Sequence, residues 1–194
     1  MTKIVMLGGN GYIGRAVTAH WLEKEPSAEF LVLSRSGKNQ LTSPQIDNRA
    51  VDVTDATAVE AVLPERFDYI IDFVGAPEKD PAAFDRLNKQ PATVMKAAAE
   101  KHGARAMGFV QGQLGDKAFV QGKAAIAADL ASSSVPLAVT NPTLVIGNGR
   151  QDSLTKLAPL LKFLGFFSAK FKPVDVNAVA TELISKLEAA ANEN

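Results

Sequence analysis

Short apolar runs alternate with segments of helical periodicity along most of the chain. Six runs of four to eight residues predict β-strands, at residues 3–7, 29–33, 49–53, 67–74, 104–111 and 137–140. Most are continuous stretches of β-branched or large apolar side chains, such as Ile4-Val5-Met6-Leu7. Because strands covered on both faces have this composition, the pattern predicts a parallel sheet with helices on each side.

The segments between the strands predict helices at residues 11–24, 56–63, 81–101, 117–132, 153–164 and 177–191. Asp55 and Asp152 precede two of these segments as N-caps, Pro81 suits a first helical turn, and Gly103 is a C-terminal stop. The sequence has no repeat of fixed period and no long Pro, Gly or Ser linker. We therefore expect residues 1–194 to form a single domain.

Composition and charge exclude several classes of function. The chain has 21 basic and 21 acidic side chains, so no large field attracts nucleic acid or an anionic membrane. Without cysteine there are no disulfides, thiolate metal sites or thiol nucleophiles, and two histidines are too few for a histidine-based metal site. No secretion signal or membrane-spanning apolar stretch is evident, so we expect a cytoplasmic protein with neither nucleic-acid nor membrane partners.

A glycine-rich segment follows the first predicted strand and opens the first predicted helix. It consists of Gly8, Gly9, Asn10, Gly11, Tyr12, Ile13 and Gly14, and it contains the spacing G-x-G-x-x-G. In this strand–turn–helix context the glycines let the backbone approach a pyrophosphate, which the helix N-terminus attracts. The motif predicts a dinucleotide-binding Rossmann fold, with a doubly wound parallel sheet in three α/β/α layers. The alternative is a glycine-rich turn without a ligand.

The end of the second predicted strand bears on the choice of dinucleotide. NAD sites usually place a carboxylate there for the ribose 2′-hydroxyl, but this chain has Ser34, Arg35 and Lys38 instead. A guanidinium can pair with a 2′-phosphate and a serine can donate a hydrogen bond to it. We therefore expect NADP(H) rather than NAD(H), although an ordinary charged surface loop is the alternative.

With these residues in place, the sequence resembles the extended or atypical branch of the short-chain dehydrogenase/reductase superfamily, whose members include epimerases and dehydratases. The resemblance covers nearly the whole chain, including residues 68–76, Asn88 and residues 173–180. It implies further cofactor contacts at Asp52 and Val53 (ending the third strand, at adenine), Gly75 and Ala76 (after the fourth strand), Lys123 (at the ribose), and Pro142 and Thr143 (beside the nicotinamide).

The chain departs from this family at its catalytic residues. The family uses a serine and a Tyr-x-x-x-Lys motif, and the matching positions here are Gln111, Phe119 and Lys123. A phenyl ring cannot act as a general acid or base, so Lys123 is the one catalytic candidate that the resemblance retains. The alternative for Lys123 is a solvent-facing helix lysine. Asp72 is a minor acid candidate, and its place in an apolar strand requires a partner or a raised pKa.

Residues 154–171 are unusually apolar but are interrupted by lysines. They are interpreted as an apolar wall beside the nicotinamide, a homodimer contact or a core-packing helix. The resemblance implies that about residues 151–194 cap the substrate site. Because this region is short for the extended family, we expect a small or open pocket rather than a nucleotide-sugar site.

The sequence is consistent with three functions. The first is an NADP(H)-dependent oxidoreductase that passes hydride to a small acceptor such as a flavin, a quinone or a conjugated compound, without the family tyrosine. The second is a non-catalytic NADP(H)-binding redox sensor or assembly subunit. The third is an epimerase- or dehydratase-like enzyme that uses a different acid. The sequence does not identify the small-molecule substrate.

Overall fold

The computed structural model describes residues 1–113, 115–147 and 173–193. Six strands form one sheet: β1 Lys3–Leu7, β2 Glu29–Ser34, β3 Ile46–Ala50, β4 Tyr69–Asp72, β5 Ala106–Val110 and β6 Leu137–Thr140. Their order is β3-β2-β1-β4-β5-β6, and every neighbouring pair is parallel. The chain therefore winds outward from β1 in one direction and resumes from β4 in the other, which confirms the predicted doubly wound Rossmann fold.

Helices cover both faces of the sheet. They are α1 Tyr12–Lys24, α2 Ala56–Glu60, α3 Pro81–Phe84, α4 Gln90–His102, α5 Lys117–Leu130 and α6 Val176–Asn192, and a π-helical turn, Asp85–Lys89, joins α3 to α4. Alternate residues of β1 separate the two cores: Ile4 and Met6 pack with α1 and α6, whereas Val5 and Leu7 pack with α2, α4 and α5. The three-layer prediction is confirmed.

The last described segment, residues 173–193, belongs to the core of this domain. Strands β7 Val145–Ile146 and β8 Val174–Asp175 form a small parallel sheet, and α6 buries Val179, Leu183 and Leu187 in the same core as α1. The predicted helix 153–164, its cap Asp152 and the apolar segment 154–171 lie outside the described residues. No helix in the described ranges is long and apolar enough to cross a membrane.

The third strand is displaced from its prediction. Residues 49–53 were expected, but β3 is Ile46–Ala50, because this edge strand carries the exposed Asp47 and Arg49 and lacks the apolar run of its neighbours. The buried Val51 and Val53 instead follow the strand and pack against the core. Asp52 and Val53 therefore lie in the loop after β3, and the expectation that they end the strand is wrong.

The residues predicted to begin and end helices agree with the structure better than the predicted strand lengths do. The Asp55 side chain accepts hydrogen bonds from the backbone N–H groups of Thr57 and Ala58 and caps α2, and Gly103 ends α4 with φ 64°. The predicted helix 81–101 is interrupted by the π-helical turn, which sequence periodicity did not indicate. The fourth and fifth strands are shorter than predicted at both ends, and Phe73 and Val74, which follow the fourth strand, line the site described below.

Candidate functional site

The glycine-rich turn packs too closely for larger side chains. Gly8 follows β1 with φ +72°, a left-handed conformation that favours glycine. A Cβ atom on Gly9 would lie 2.6 Å from the Met6 Cβ, and one on Gly14 would lie 2.6 Å from the Gly9 Cα. The first and third glycines of the motif therefore allow α1 to start directly against β1.

The N-terminus of α1 adjoins the same turn. It offers backbone N–H groups as hydrogen-bond donors, because none of the described side chains caps it. Gly11 occupies the N-cap position and makes no side-chain hydrogen bond, so the first amide groups of α1 are suited to bind an anion. The turn is braced by Arg15, whose Nη1 donates to the Asn10 carbonyl at 2.8 Å. Tyr12 Oη donates to the Gly147 carbonyl at 2.7 Å, so Tyr12 ties the turn to the chain after β7.

A cleft of about 740 Å³ opens beside this turn, at the carboxyl ends of β1, β2 and β4. This is the topological switch point, where ligands bind in open α/β sheets. The cleft brings together six predicted cofactor residues: Gly8, Asn10, Ser34, Arg35, Asp52 and Val53. It also includes Arg86 and Leu87 from the π-helical turn, which the sequence analysis missed because a π-helical turn has no periodic signal.

Charged side chains at the outer end of the cleft are exposed to solvent. Asp52 accepts hydrogen bonds from the Thr54 backbone N–H at 3.0 Å and from the Thr54 hydroxyl at 2.8 Å. These bonds lower the pKa of Asp52, with smaller contributions from the positive charges of Arg35 and Arg86. Because both arginines act on one carboxylate, they lie on the same part of the cleft, where the sequence predicted only Arg35.

The loop after β4 is held by a buried asparagine. Asn88 is fully buried; its Oδ1 accepts from the Ala76 N–H at 3.2 Å, and its Nδ2 donates to the Ala76 carbonyl at 3.0 Å. Gly75 has φ +156°, and a Cβ there would lie 2.8 Å from the Asn88 Oδ1 and 3.1 Å from the Lys123 Nζ. Gly75 and Ala76 therefore form a turn that Asn88 holds, which we call the Gly75 turn, and the Nζ of Lys123 lies against it.

Lys123 is buried rather than solvent-facing, so the surface-lysine alternative is wrong. Its side chain is on α5, the residue is 3% exposed, and Nζ lies 4.1 Å from the centroid of the Phe109 ring. Burial lowers the pKa of Lys123, and the nearby negative charge of Asp72 opposes that change. Lys123 is not among the residues that line the 740 Å³ cleft; it lies beneath the Gly75 turn, and we call this buried region the inner end of the site.

Asp72 is the other titratable group at this inner end. It ends β4 and is 1% exposed, and burial raises its pKa to about 7 in spite of the charge of Lys123. Asp72 Oδ1 accepts from the Val74 N–H at 2.8 Å, whereas Oδ2 has no hydrogen-bond partner within the described ranges. The sequence analysis expected a buried Asp72 to have either a partner or a raised pKa, and the buried carboxylate has the Val74 N–H as a partner together with a pKa raised by burial.

The remaining positions implied by the resemblance are not among the residues that line the cleft. Phe119 is one helical turn before Lys123 and packs edge-on against Phe84, with ring centroids 6.2 Å apart. Gln111 follows β5, and its backbone N–H donates to the Thr140 carbonyl at 3.0 Å. Pro142 is buried and Thr143 half-buried, and neither is among the residues that line the 740 Å³ cleft. Their contact with a nicotinamide remains a prediction.

Comparison with solved structures finds the same fold at low sequence identity. The Bordetella bronchiseptica enzyme WbmH, solved with NAD+, is 14% identical with a TM-score of 0.74, over 97% of this chain and 72% of that chain. A short chain dehydrogenase family protein from Francisella tularensis is 16% identical with a TM-score of 0.71, over 100% and 94%. ElxO, solved with NADP, is 14% identical with a TM-score of 0.72, over 96% and 91%.

Sequence comparison gives the family more directly. No significant match to a curated protein is found. The family model described as the NAD dependent epimerase/dehydratase family matches residues 4–112, which is more than half of the chain and includes β1 to β5, the glycine-rich turn and the Gly75 turn. The chain therefore belongs to the NAD dependent epimerase/dehydratase family, as the resemblance to extended short-chain dehydrogenases implied.

Proposed function

We propose that this protein is an NADP(H)-dependent oxidoreductase that passes hydride to a small acceptor such as a flavin, a quinone or a conjugated compound. The observation that carries the proposal is the cleft at the switch point of the sheet, which has the closely packed glycine turn on one side and Arg35 and Arg86 on another. The glycines leave room for a pyrophosphate beside the N-terminus of α1.

The preference for NADP(H) rests on the outer end of the cleft. No carboxylate follows Leu33, where an NAD site would hold the 2′-hydroxyl, and Ser34 and Arg35 occupy that place. Arg86 adds a second guanidinium from the π-helical turn, so two planar cations are available for a 2′-phosphate. Since similar structures hold either NAD+ or NADP, these side chains rather than the fold support the choice.

The acceptor class follows from the inner end of the site. A bound nicotinamide would supply the hydride, and we assign to Lys123 the role of hydrogen-bonding the ribose hydroxyls, which the proximity of its Nζ to Gly75 supports. Phe119 has no proton to give, and its ring is buried against Phe84. Acceptors that take their proton from water therefore fit this chain better than simple ketones or aldehydes.

Binding and turnover measurements test the two parts of the proposal separately. Calorimetric titration with NADPH and NADH should give a dissociation constant about tenfold or more lower for NADPH, the effect of one good charge-assisted contact. Oxidation of NADPH should then be followed with flavins, quinones, enones and simple carbonyls. Equal or tighter binding of NADH would contradict the NADP(H) assignment, and tight NADPH binding without turnover of any acceptor would contradict the enzymatic one.

The second candidate is a non-catalytic NADP(H)-binding sensor or assembly subunit, and the buried Phe119 in place of a proton donor favours it. In that case, NADPH should change the affinity of the protein for a partner or for itself, which sizing with and without NADPH would detect. A third possibility is carbonyl or epimerase chemistry with another acid. A gain of carbonyl reduction in Phe119→Tyr would indicate instead that only the hydroxyl was missing.

A further inference from the structure

The carboxylate of Asp72 is buried with half of its hydrogen-bonding capacity unused. Within the described ranges, the fully buried side-chain polar atoms without a hydrogen-bond partner are Asp72 Oδ2 and Thr140 Oγ1. A buried, unpartnered carboxylate oxygen costs stability, so its retention needs a reason. Asp72 stands directly before the loop that forms the Gly75 turn, which places this unpartnered oxygen next to the candidate site.

Lys123 is a buried cation in the same region as the buried carboxylate. Its ammonium group comes from α5 into a region where the residue is 3% exposed, and Nζ makes no hydrogen bond to any residue that the structure describes. The Phe109 ring, 4.1 Å from Nζ, offsets only part of the cost of burying a cation. The ammonium is nevertheless close to the Gly75 turn, since a Cβ on Gly75 would lie 3.1 Å from Nζ.

Among the residues that the structure describes, the neighbours of the two groups are otherwise uncharged. In the sheet, Asp72 is in register with Leu7 of β1 on one side and Phe109 of β5 on the other, and Phe109 is the residue that packs against Lys123. From the helical layer, Asn88 faces Lys123 across the Gly75 turn and is neutral. Among the described residues, Lys123 is the one charged group that affects the pKa of Asp72, and Asp72 is the one charged group that affects the pKa of Lys123.

We propose that Asp72 is a positioning residue that acts through Lys123: its buried carboxylate, in register with the Phe109 residue whose ring Nζ overlies, attracts the Lys123 ammonium to its place beneath the Gly75 turn. There the ammonium can donate hydrogen bonds to the ribose of the dinucleotide, and this consequence rests on the proposed function. The electrostatic link between Asp72 and Lys123 does not depend on it. Because position 119 is phenylalanine, no tyrosine phenolate is available there to help position the Lys123 ammonium.

The test compares Asp72→Asn with wild type. Asparagine keeps the oxygen that accepts from the Val74 N–H but removes the charge. The pKa of the Lys123 ammonium is measured by NMR on protein with labelled lysine, without dinucleotide, and NADPH affinity is then measured over a pH range that extends to both sides of the pKa found for Asp72→Asn. Thr140→Val is the matched control, because it removes the other buried unpartnered oxygen without changing any charge.

We expect the Lys123 pKa to fall by about one unit or more in Asp72→Asn, a tenfold change in proton affinity. NADPH affinity of this variant should match wild type near the acidic end of the range and fall about tenfold below it near the alkaline end. Thr140→Val should leave both quantities unchanged. An unchanged Lys123 pKa, or an affinity loss that is the same at every pH, would overturn the proposal, since either result indicates a merely structural role for Asp72.

Two further outcomes also decide the question. If Asp72→Asn does not fold, the carboxyl pKa of Asp72 is compared in wild type and Lys123→Met. Loss of the ammonium should raise that pKa further, and an identical value in both proteins would overturn the proposal. If wild type binds no NADPH at any pH, the proposed function fails, while the Lys123 pKa in Asp72→Asn still shows whether Asp72 acts on Lys123.

Discussion

The cleft and the buried region beneath the Gly75 turn, the outer and inner ends of the candidate site, contain charged groups in opposite environments. At the outer end, Arg35, Asp52 and Arg86 are exposed, and water screens their interactions. At the inner end, Asp72 and Lys123 are almost completely buried, and burial raises the pKa of Asp72 to about 7 and lowers the pKa of Lys123. Exposed charges can select a ligand with little effect on folding, whereas buried charges affect stability and pH dependence as well.

The largest expected effect comes from the glycine turn that joins the two ends. Gly14→Ala would place a Cβ within 2.6 Å of the Gly9 Cα, and backbone atoms cannot move aside as a flexible side chain can. We expect a loss of about 4 kcal/mol or more in the free energy of unfolding, measured by urea denaturation, and no dinucleotide binding.

Gly11→Ala is the control in the same turn. A Cβ at Gly11 meets only the Gly8 carbonyl oxygen, at 3.2 Å, and Gly11 has φ −72°, which alanine adopts readily. The stability should change by less than about 1 kcal/mol, while binding weakens because the backbone can no longer approach the pyrophosphate closely. If both variants lost stability equally, close packing between Gly9 and Gly14 would not explain the motif.

The second-largest expected effect is the pH dependence of stability that arises at the inner end. The pKa of Asp72 is raised to about 7 in the folded protein, whereas an unfolded aspartate titrates near about 3.9. The folded state therefore binds more protons between these values, and the stability of wild type should fall as pH rises through this window. At about 1.4 kcal/mol for each unit, the contribution of Asp72 is on the order of 4 kcal/mol at most.

Asp72→Asn lacks this titration. Its free energy of unfolding should fall less than that of wild type between about pH 4 and about pH 7, and the two curves should run parallel at higher pH until Lys123 titrates. Urea denaturation across this range measures the difference. Parallel curves throughout would mean that Asp72 is not protonated in the folded protein near neutral pH.

A smaller effect is expected at the outer end, on binding alone. If NADP(H) is the cofactor, as proposed, Arg35→Ala and Arg86→Ala should each weaken NADPH binding about tenfold to a hundredfold and leave NADH binding unchanged, since each would remove a charge-assisted contact to the 2′-phosphate. Both residues are exposed, so stability should change by less than about 0.5 kcal/mol. Lys89→Ala removes a neighbouring exposed charge that does not line this cleft and should have no effect.

The smallest effect is expected at Asp52. Its pKa is lowered chiefly by the hydrogen bonds from Thr54, so it contributes to stability above about pH 4 and loses this contribution as the pH falls. Because the side chain is exposed, Asp52→Asn should cost no more than about 0.5 kcal/mol at neutral pH. Denaturation at pH 7 and in acid would measure it, and a loss of several kcal/mol would show that the outer end is not screened by water.

The difference between the two ends also explains what sequence reasoning could find. At the outer end, Ser34 and Arg35 follow a predicted strand directly, so their place in the cleft follows from the strand order. Arg86 was missed, because its position depends on a π-helical turn that carries no periodic pattern. At the inner end, Lys123 was found by resemblance alone, and its burial came from the packing of α5 over β5 rather than from any local signal.

The sequence by itself determined the alternation of strands and helices, the glycine turn after β1 and the family, because these depend on local periodicity and on residues close together in the chain. The tertiary structure alone decided which polar groups lose contact with water. Asp72 and Lys123 are 51 positions apart in sequence, and their coupling exists because β4, β5 and α5 meet below the Gly75 turn. Burial strengthens electrostatic interactions, so the chemical character of the inner end depends on the folded arrangement.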